Sequence, residues 1–215
     1  MIFENTPDDF LRFLPTYLTN EEKGRLNQAL EQFKEERGKI WSQKHTTHFY
    51  SQKRFDFFLQ GDLLSQIRYP AWNREDKTFD KVYVNAIILS NTCDLDLANE
   101  RAITKEVVLA PITEYPLFIK KLALRLGSDA VPKSLEDSIK AQSYSSLFYL
   151  PQSASNQMDY VCHLDKAFWF PTDELNSYLS DIEQTRIASL DYFGYYLFLV
   201  KLSYHFCRLP EEKQR

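Results

Sequence analysis

The chain has 215 residues, a formal charge of −4, 15% aromatic residues and only five glycines. That length is enough to bury a self-sufficient core, the aromatic content excludes a disordered adaptor, and the negative balance offers no long-range attraction for nucleic acid. Three cysteines at wide, irregular spacing, Cys93, Cys162 and Cys207, argue against a disulfide framework and for reduced thiols in a cytoplasmic protein.

In chain order, the opening MIFENTPDDFLRF is acidic where a secretory signal would be basic, and no apolar run approaches the roughly 20 residues of a membrane span. The expectation is a soluble chain with no membrane partner. Residues 7–38 read as helices. TNEEKGRLNQALEQFKEERGK opens on Thr19 or Asn20 as a cap before acidic first-turn residues, and Leu26, Leu30 and Phe33 share one face.

From Phe55 the pattern changes to strand. FDFFLQGDLLSQIRY is rich in aromatic and branched residues, with Gly61 expected at a bulge or bend. PAWNREDKTFD reads as a polar, hairpin-like loop, and KVYVNAIILSN and KEVVLAPIT as two further strands. EYPLFIKKLALRL follows as a helix with a basic edge, then a short helix at 134–141. SSLFYLP, MDYVCHLD and KAFWFP read as three short strands, TDELNSYLSDI as a capped helix and TRIASL as a connector. DYFGYYLFLVKLSYHFCRL closes the chain as a helix aromatic on more than one side, suited to a core or to a dimer or partner surface. Strands in the middle and helices at both ends give an α+β class.

Taken in order, QGDLLSQI (60–67), VNAIILSN (84–91) and VVLAPIT (107–113) resemble the MazF/PemK family of toxin endoribonucleases. That family carries a Gly-Asp at its first strand, an apolar strand ending in Ser-Asn and a strand ending in Ala-Pro-Ile-Thr. The resemblance implies an SH3-like β-barrel of MazF/PemK/CcdB type with helical N- and C-terminal extensions. The chain is then one domain over 1–215: a helical segment over 1–50, the barrel core over 55–115, and strands and helices completing it over 116–215. Physically, Gly61 permits a sharp bend, Asp62 can bond neighbouring backbone amides, and Ile87, Ile88, Leu89, Val107, Val108 and Leu109 would fill the interior.

The departures bear on activity. Where the toxins place an Arg-Pro pair before the second strand, with the arginine implicated in phosphodiester cleavage, this chain has Val84 and Asn85. The toxins' following Thr or Ser has an approximate match in Thr104. In exchange the chain carries SNTCDLD (90–96), which looks like a less characterised MazF/PemK-like group found in larger proteins, sometimes in toxin–antitoxin or phage-defence settings.

The site candidates follow from that loop. Asn91, Thr92, Asp94 and Asp96 are assigned to binding, at a strand end where recognition residues commonly sit. Cys93 is expected to be packed and unreactive beside carboxylates that oppose thiolate formation, with Asp94 organising the turn. An EF-hand reading fails, because Ala98, Asn99 and Lys105 stand where the loop needs other residues. His45 and His48 lack further zinc ligands, and Cys93, His163 and Asp165 form a weaker thiol, base and orienter alternative. No metal and no cofactor is expected.

The expected function is non-catalytic binding of a macromolecular partner, RNA or protein, or a regulatory role. The alternative is a toxin-type endoribonuclease with non-standard residues, for which Thr104, Arg101 and Arg186 are the catalytic candidates because a guanidinium can grip phosphate. A third class acts by assembly, as a homodimer.

Overall fold

The structure is a computed structural model that describes residues 49–95, 106–153 and 156–206, together with Thr19, Glu21, Lys23 and Gly24. Lys23 N donates to Thr19 O at 3.0 Å, so a helical turn does open at the predicted cap. The rest of the predicted helices over 7–38, and His45 and His48, lie outside the described residues.

Strand β1 (Leu63–Asn73) and strand β2 (Thr78–Ile88) form a long antiparallel hairpin. The polar stretch expected as a loop is mostly strand. Asn73 Oδ1 accepts from Glu75 N at 3.0 Å and Asp76 N at 3.3 Å, which confines the reversal to four residues and leaves Pro70, Ala71 and Trp72 in the ladder. The start of the strand is also later than expected. Gly61 adopts φ +88° in a turn closed by Asp62 N donating to Leu59 O, so residues 55–60 run outside the sheet. The irregularity inside β1 falls between Leu64 and Ile67, where Gln66 has φ 58°.

A short helical turn, α1 (Thr92–Leu95), follows β2. Strand β3 (Glu106–Glu114) then divides its outer edge: its first half pairs with β6 (Phe168–Pro171) and its last residues with β5 (Tyr160–His163). Helix α2 (Tyr115–Arg125), with Pro116 in its first turn, and helix α3 (Lys133–Lys140) lead into β4 (Leu147–Leu150). After β6 come α4 (Thr172–Ser177), a 3₁₀ turn (Tyr178–Asp181) and α5 (Ile182–Thr185). The predicted connector TRIASL instead contains strand β7 (Arg186–Ala188), because Ala188 and Arg186 ladder onto Leu63 and Leu64 of β1. Helix α6 (Tyr192–Phe206) ends the described chain.

The result is an α+β architecture on one seven-stranded antiparallel sheet, ordered β4-β5-β3-β2-β1-β7 with β6 also on β3. Both faces are covered, which is why the central strands read as continuous apolar runs. On one face Leu63, Ile87, Ala110, Ile112, Phe148 and Cys162 pack against Phe193, Leu197 and Phe198 of α6. On the other, Leu64, Ile67, Ala86, Ile88, Val107 and Leu109 pack against Phe170 and Leu175. Of the six residues expected in the interior, Val108 is the exception. It is 40% exposed, because it alternates away from Val107 and Leu109 at the pairing with β6.

Candidate binding cleft

The turn that opens β1 organises the neighbourhood of the SNTCDLD loop. Asp62 is fully buried, and its Oδ2 accepts from Leu59 N at 3.0 Å and from Arg186 Nε at 2.8 Å. Burial pushes the Asp62 carboxyl above its ordinary range, and the Arg186 charge partly offsets that. The rest of the guanidinium donates to Phe55 O at 2.6 Å and to Phe57 O, and the group lies 5.5 Å over the Phe58 ring. Arg186 therefore clamps the irregular segment 55–58 onto the sheet, each of its three guanidinium nitrogens donating within the chain.

Next to this clamp, Gln60 acts as a junction. Its backbone N donates to Thr92 Oγ1 at 3.0 Å, its Nε2 donates to Leu89 O at 2.7 Å, and its Oε1 accepts from Tyr195 OH at 2.9 Å. Three elements meet there: the end of β2, turn α1 and helix α6. They border a cleft of about 680 Å³ floored by Tyr50, Leu59, Leu190 and Tyr196 and edged by Thr92, Lys53, Asp191, Tyr192 and Tyr195. A second cleft of about 590 Å³ lies between the same irregular segment and β7, with Arg54, Glu183 and Ile187 in its walls.

Asn91, Thr92 and Asp94 are brought together at the end of β2, beside the first cleft. Asn91 Oδ1 accepts from Cys93 N at 3.0 Å and its carbonyl accepts from Asp94 N at 2.9 Å, so Asn91 caps the turn and its side-chain oxygen is turned to the backbone. Thr92 lines the cleft itself. Cys93 is exposed, against the expectation that it is packed. The cause is the helical turn: at about 100° per residue, burying Leu95 in the core turns Cys93 outward. Asp96, Arg101 and Thr104 lie outside the described residues.

The alternative thiol–base pair does not assemble. His163 Nε2 sits 3.1 Å from Thr113 Oγ1, at the C-terminal end of β3, whereas Leu89 and Ser90, which lead to Cys93, bond to Val108 near its other end. Five strand residues separate these points, about 17 Å at the usual rise. Burial lowers the His163 imidazole to about 4, and burial pushes the Cys162 thiol up. Among the described residues, no three His, Cys, Asp or Glu side chains group as metal ligands.

One feature escaped the sequence reading. Gln60 gives no signal of its own, since its role depends on three partners distant in sequence. The closing helix, read as suited to a core or to a partner surface, packs Phe193, Leu197 and Phe198 into the core and lines the cleft with Tyr192, Tyr195 and Tyr196, which i, i+3 and i+4 place on one helical stripe. No protein-family profile matches the chain, and no curated protein matches it.

Proposed function

We propose that the protein is a non-catalytic, macromolecule-binding or regulatory protein whose recognition surface is the tyrosine- and amide-lined cleft beside Thr92. In the same proposal the sheet is part of an SH3-like barrel of MazF/PemK type, and the protein acts in a toxin–antitoxin or phage-defence setting in the cytoplasm. Supporting that kinship is the order of the Gly61-Asp62 turn just before β1, the Ser90-Asn91 pair just after β2 and Ala110–Thr113 within β3, on three neighbouring strands.

The observation that carries the binding reading is the Gln60–Thr92–Tyr195 junction at the cleft wall. It presents aromatic faces, an amide and a hydroxyl in fixed positions, the composition of a recognition pocket. Its rim carries Lys53 and Asp191, whose charges cancel. That balance suits an extended polypeptide better than a phosphate backbone, which needs a net cationic groove.

Selection of a random-peptide display library on the wild-type protein, with the Tyr192→Ser variant as counter-bait, tests the reading. Peptides retained by the wild type and lost on the variant support it. Retention on both proteins, or enrichment of none, overturns it. Among the described residues no helix is long and apolar enough to cross a membrane.

A further inference from the structure

Strand β5 ends on His163, whose Nε2 lies 3.1 Å from Thr113 Oγ1 on the neighbouring β3. Both side chains are half-buried, and among the described residues neither makes a further side-chain hydrogen bond. Burial holds the imidazole neutral at pH 7, so the pair owns two polar protons, one N–H and one O–H. One of them closes the contact. Whichever tautomer is present, the other proton is left over, and the pair is a net hydrogen-bond donor.

Three cations border it. The Phe118 ring of α2 packs on the His163 ring, 5.6 Å between centroids. At about 100° per residue, Arg125 falls about 20° and Lys121 about 60° from Phe118 around that helix, on the side that faces the imidazole. Lys166 closes the 3₁₀ turn (Leu164–Lys166) that follows His163. All three are exposed, and among the described residues none has an ion-pair partner. Their charges add to burial in lowering the imidazole, and Asp165 is the single acid that opposes them there. Glu114, next to Thr113 in sequence, alternates to the other face, beside Tyr160. Three cations against one carboxylate leave a local excess of two positive charges on a chain whose formal charge is −4.

We propose that Thr113, His163, Lys121, Arg125 and Lys166 form an anion site for a phosphate monoester. Such a group carries roughly −1.5 to −2 at neutral pH, which matches the local excess. Its oxygens accept from the Arg125 guanidinium as a bidentate pair, from the two ammonium groups, and from the proton that the Thr113–His163 pair leaves over. The cations gather at the corner between β3 and α2 instead of lining a track. That suits one doubly charged group better than the singly charged diesters of a nucleic-acid backbone. The site is separate from the cleft beside Thr92. Five strand residues of β3, about 17 Å, lie between Thr113 and the Val108 carbonyl that accepts from Leu89 N and Ser90 N.

Isothermal titration calorimetry of the full chain near pH 7 and at fixed ionic strength tests this. Inorganic phosphate and phenyl phosphate serve as free and esterified sources of the dianion, and dimethyl phosphate as the diester. Saturable binding of the first two is expected, tighter for phenyl phosphate if the natural ligand is an ester and equal if free phosphate suffices. Arg125→Ala and Thr113→Val each weaken it about tenfold, the loss of one hydrogen bond to a charged group. Lys81→Ala, at an exposed cation on the β1–β2 hairpin, leaves it unchanged. By proton NMR, the titration midpoint of His163 moves up with phosphate, since a bound anion favours the imidazolium, and stays put with chloride at equal ionic strength. No saturable binding of either dianion, an affinity unchanged in Arg125→Ala, or dimethyl phosphate bound as tightly as the dianions each overturns the proposal. The last outcome would point to a nucleic-acid backbone instead.

Discussion

Arg186 shows how a residue attractive for phosphate chemistry on paper is consumed by folding. The buried Asp62 carboxylate needs a cation, and Arg186 reaches it from β7 while tying down Phe55 and Phe57. Arg186→Ala leaves that carboxylate buried and unpaired, and unfolding in urea is expected to show a loss of about 3–5 kcal/mol at neutral pH. The deficit narrows as pH falls toward the ordinary Asp range, because protonation removes the uncompensated charge. Lys201 is the reverse case. It lies in the core with Nζ donating to Gln142 O at 2.6 Å and to Tyr144 O, and burial lowers its ammonium from 10.5 to about 7. Above pH 7 the unfolded chain holds a proton on this group that the folded chain has released, so this group's contribution to stability rises with pH through that window. Denaturation midpoints of the wild type are expected to rise from pH 7 toward the tyrosine range relative to Lys201→Met, which lacks this contribution. At Cys93 the expectation of burial failed for a local reason, the helical turn of α1. A thiol reagent is expected to label Cys93 in the native protein and to reach the buried Cys162 only on unfolding.

At the scale of elements, period and punctuation made much of the fold legible. Glu114-Tyr115-Pro116 marks the start of α2, and the apolar runs at 86–89 and 107–112 fall in central strands buried on both faces except at Val108. Periodicity failed where partners outside the local stretch decide the state. Residues 186–188 are a strand only because β1 is there to pair with, and Pro70–Asn73 extend β1 only because the Asn73 turn lets β2 run back beside them. Helix α6 offers a test of close packing. A Cβ on Gly194 would stand 2.3 Å from Phe49 O, so the helix reaches the 49–50 segment only through that glycine. In a free helix Gly→Ala gains about 1 kcal/mol. Here Gly194→Ala is expected to lose about 1–3 kcal/mol through overpacking, read as a lower thermal midpoint.

Across the whole molecule, the sequence reading located the loop beside the cleft but not the cleft. SNTCDLD stood out for its unusual polar residues between two apolar strands. The groups that complete the wall, Gln60, Tyr195 and Tyr50, come from three other places in the chain, and only tertiary packing brings them to Thr92. The toxin resemblance and the geometry lead to different expectations for activity, since the arginine available on β7 is held by Asp62. Recognition without cleavage is the proposed activity. Its most direct test is to incubate the purified protein with end-labelled mixed-sequence RNA, with Mg²⁺ and with a chelator, beside the Asp94→Ala variant. RNA of unchanged length in every lane is the predicted result, and cleavage by the wild type that disappears in a stably folded Asp94→Ala protein would contradict the account.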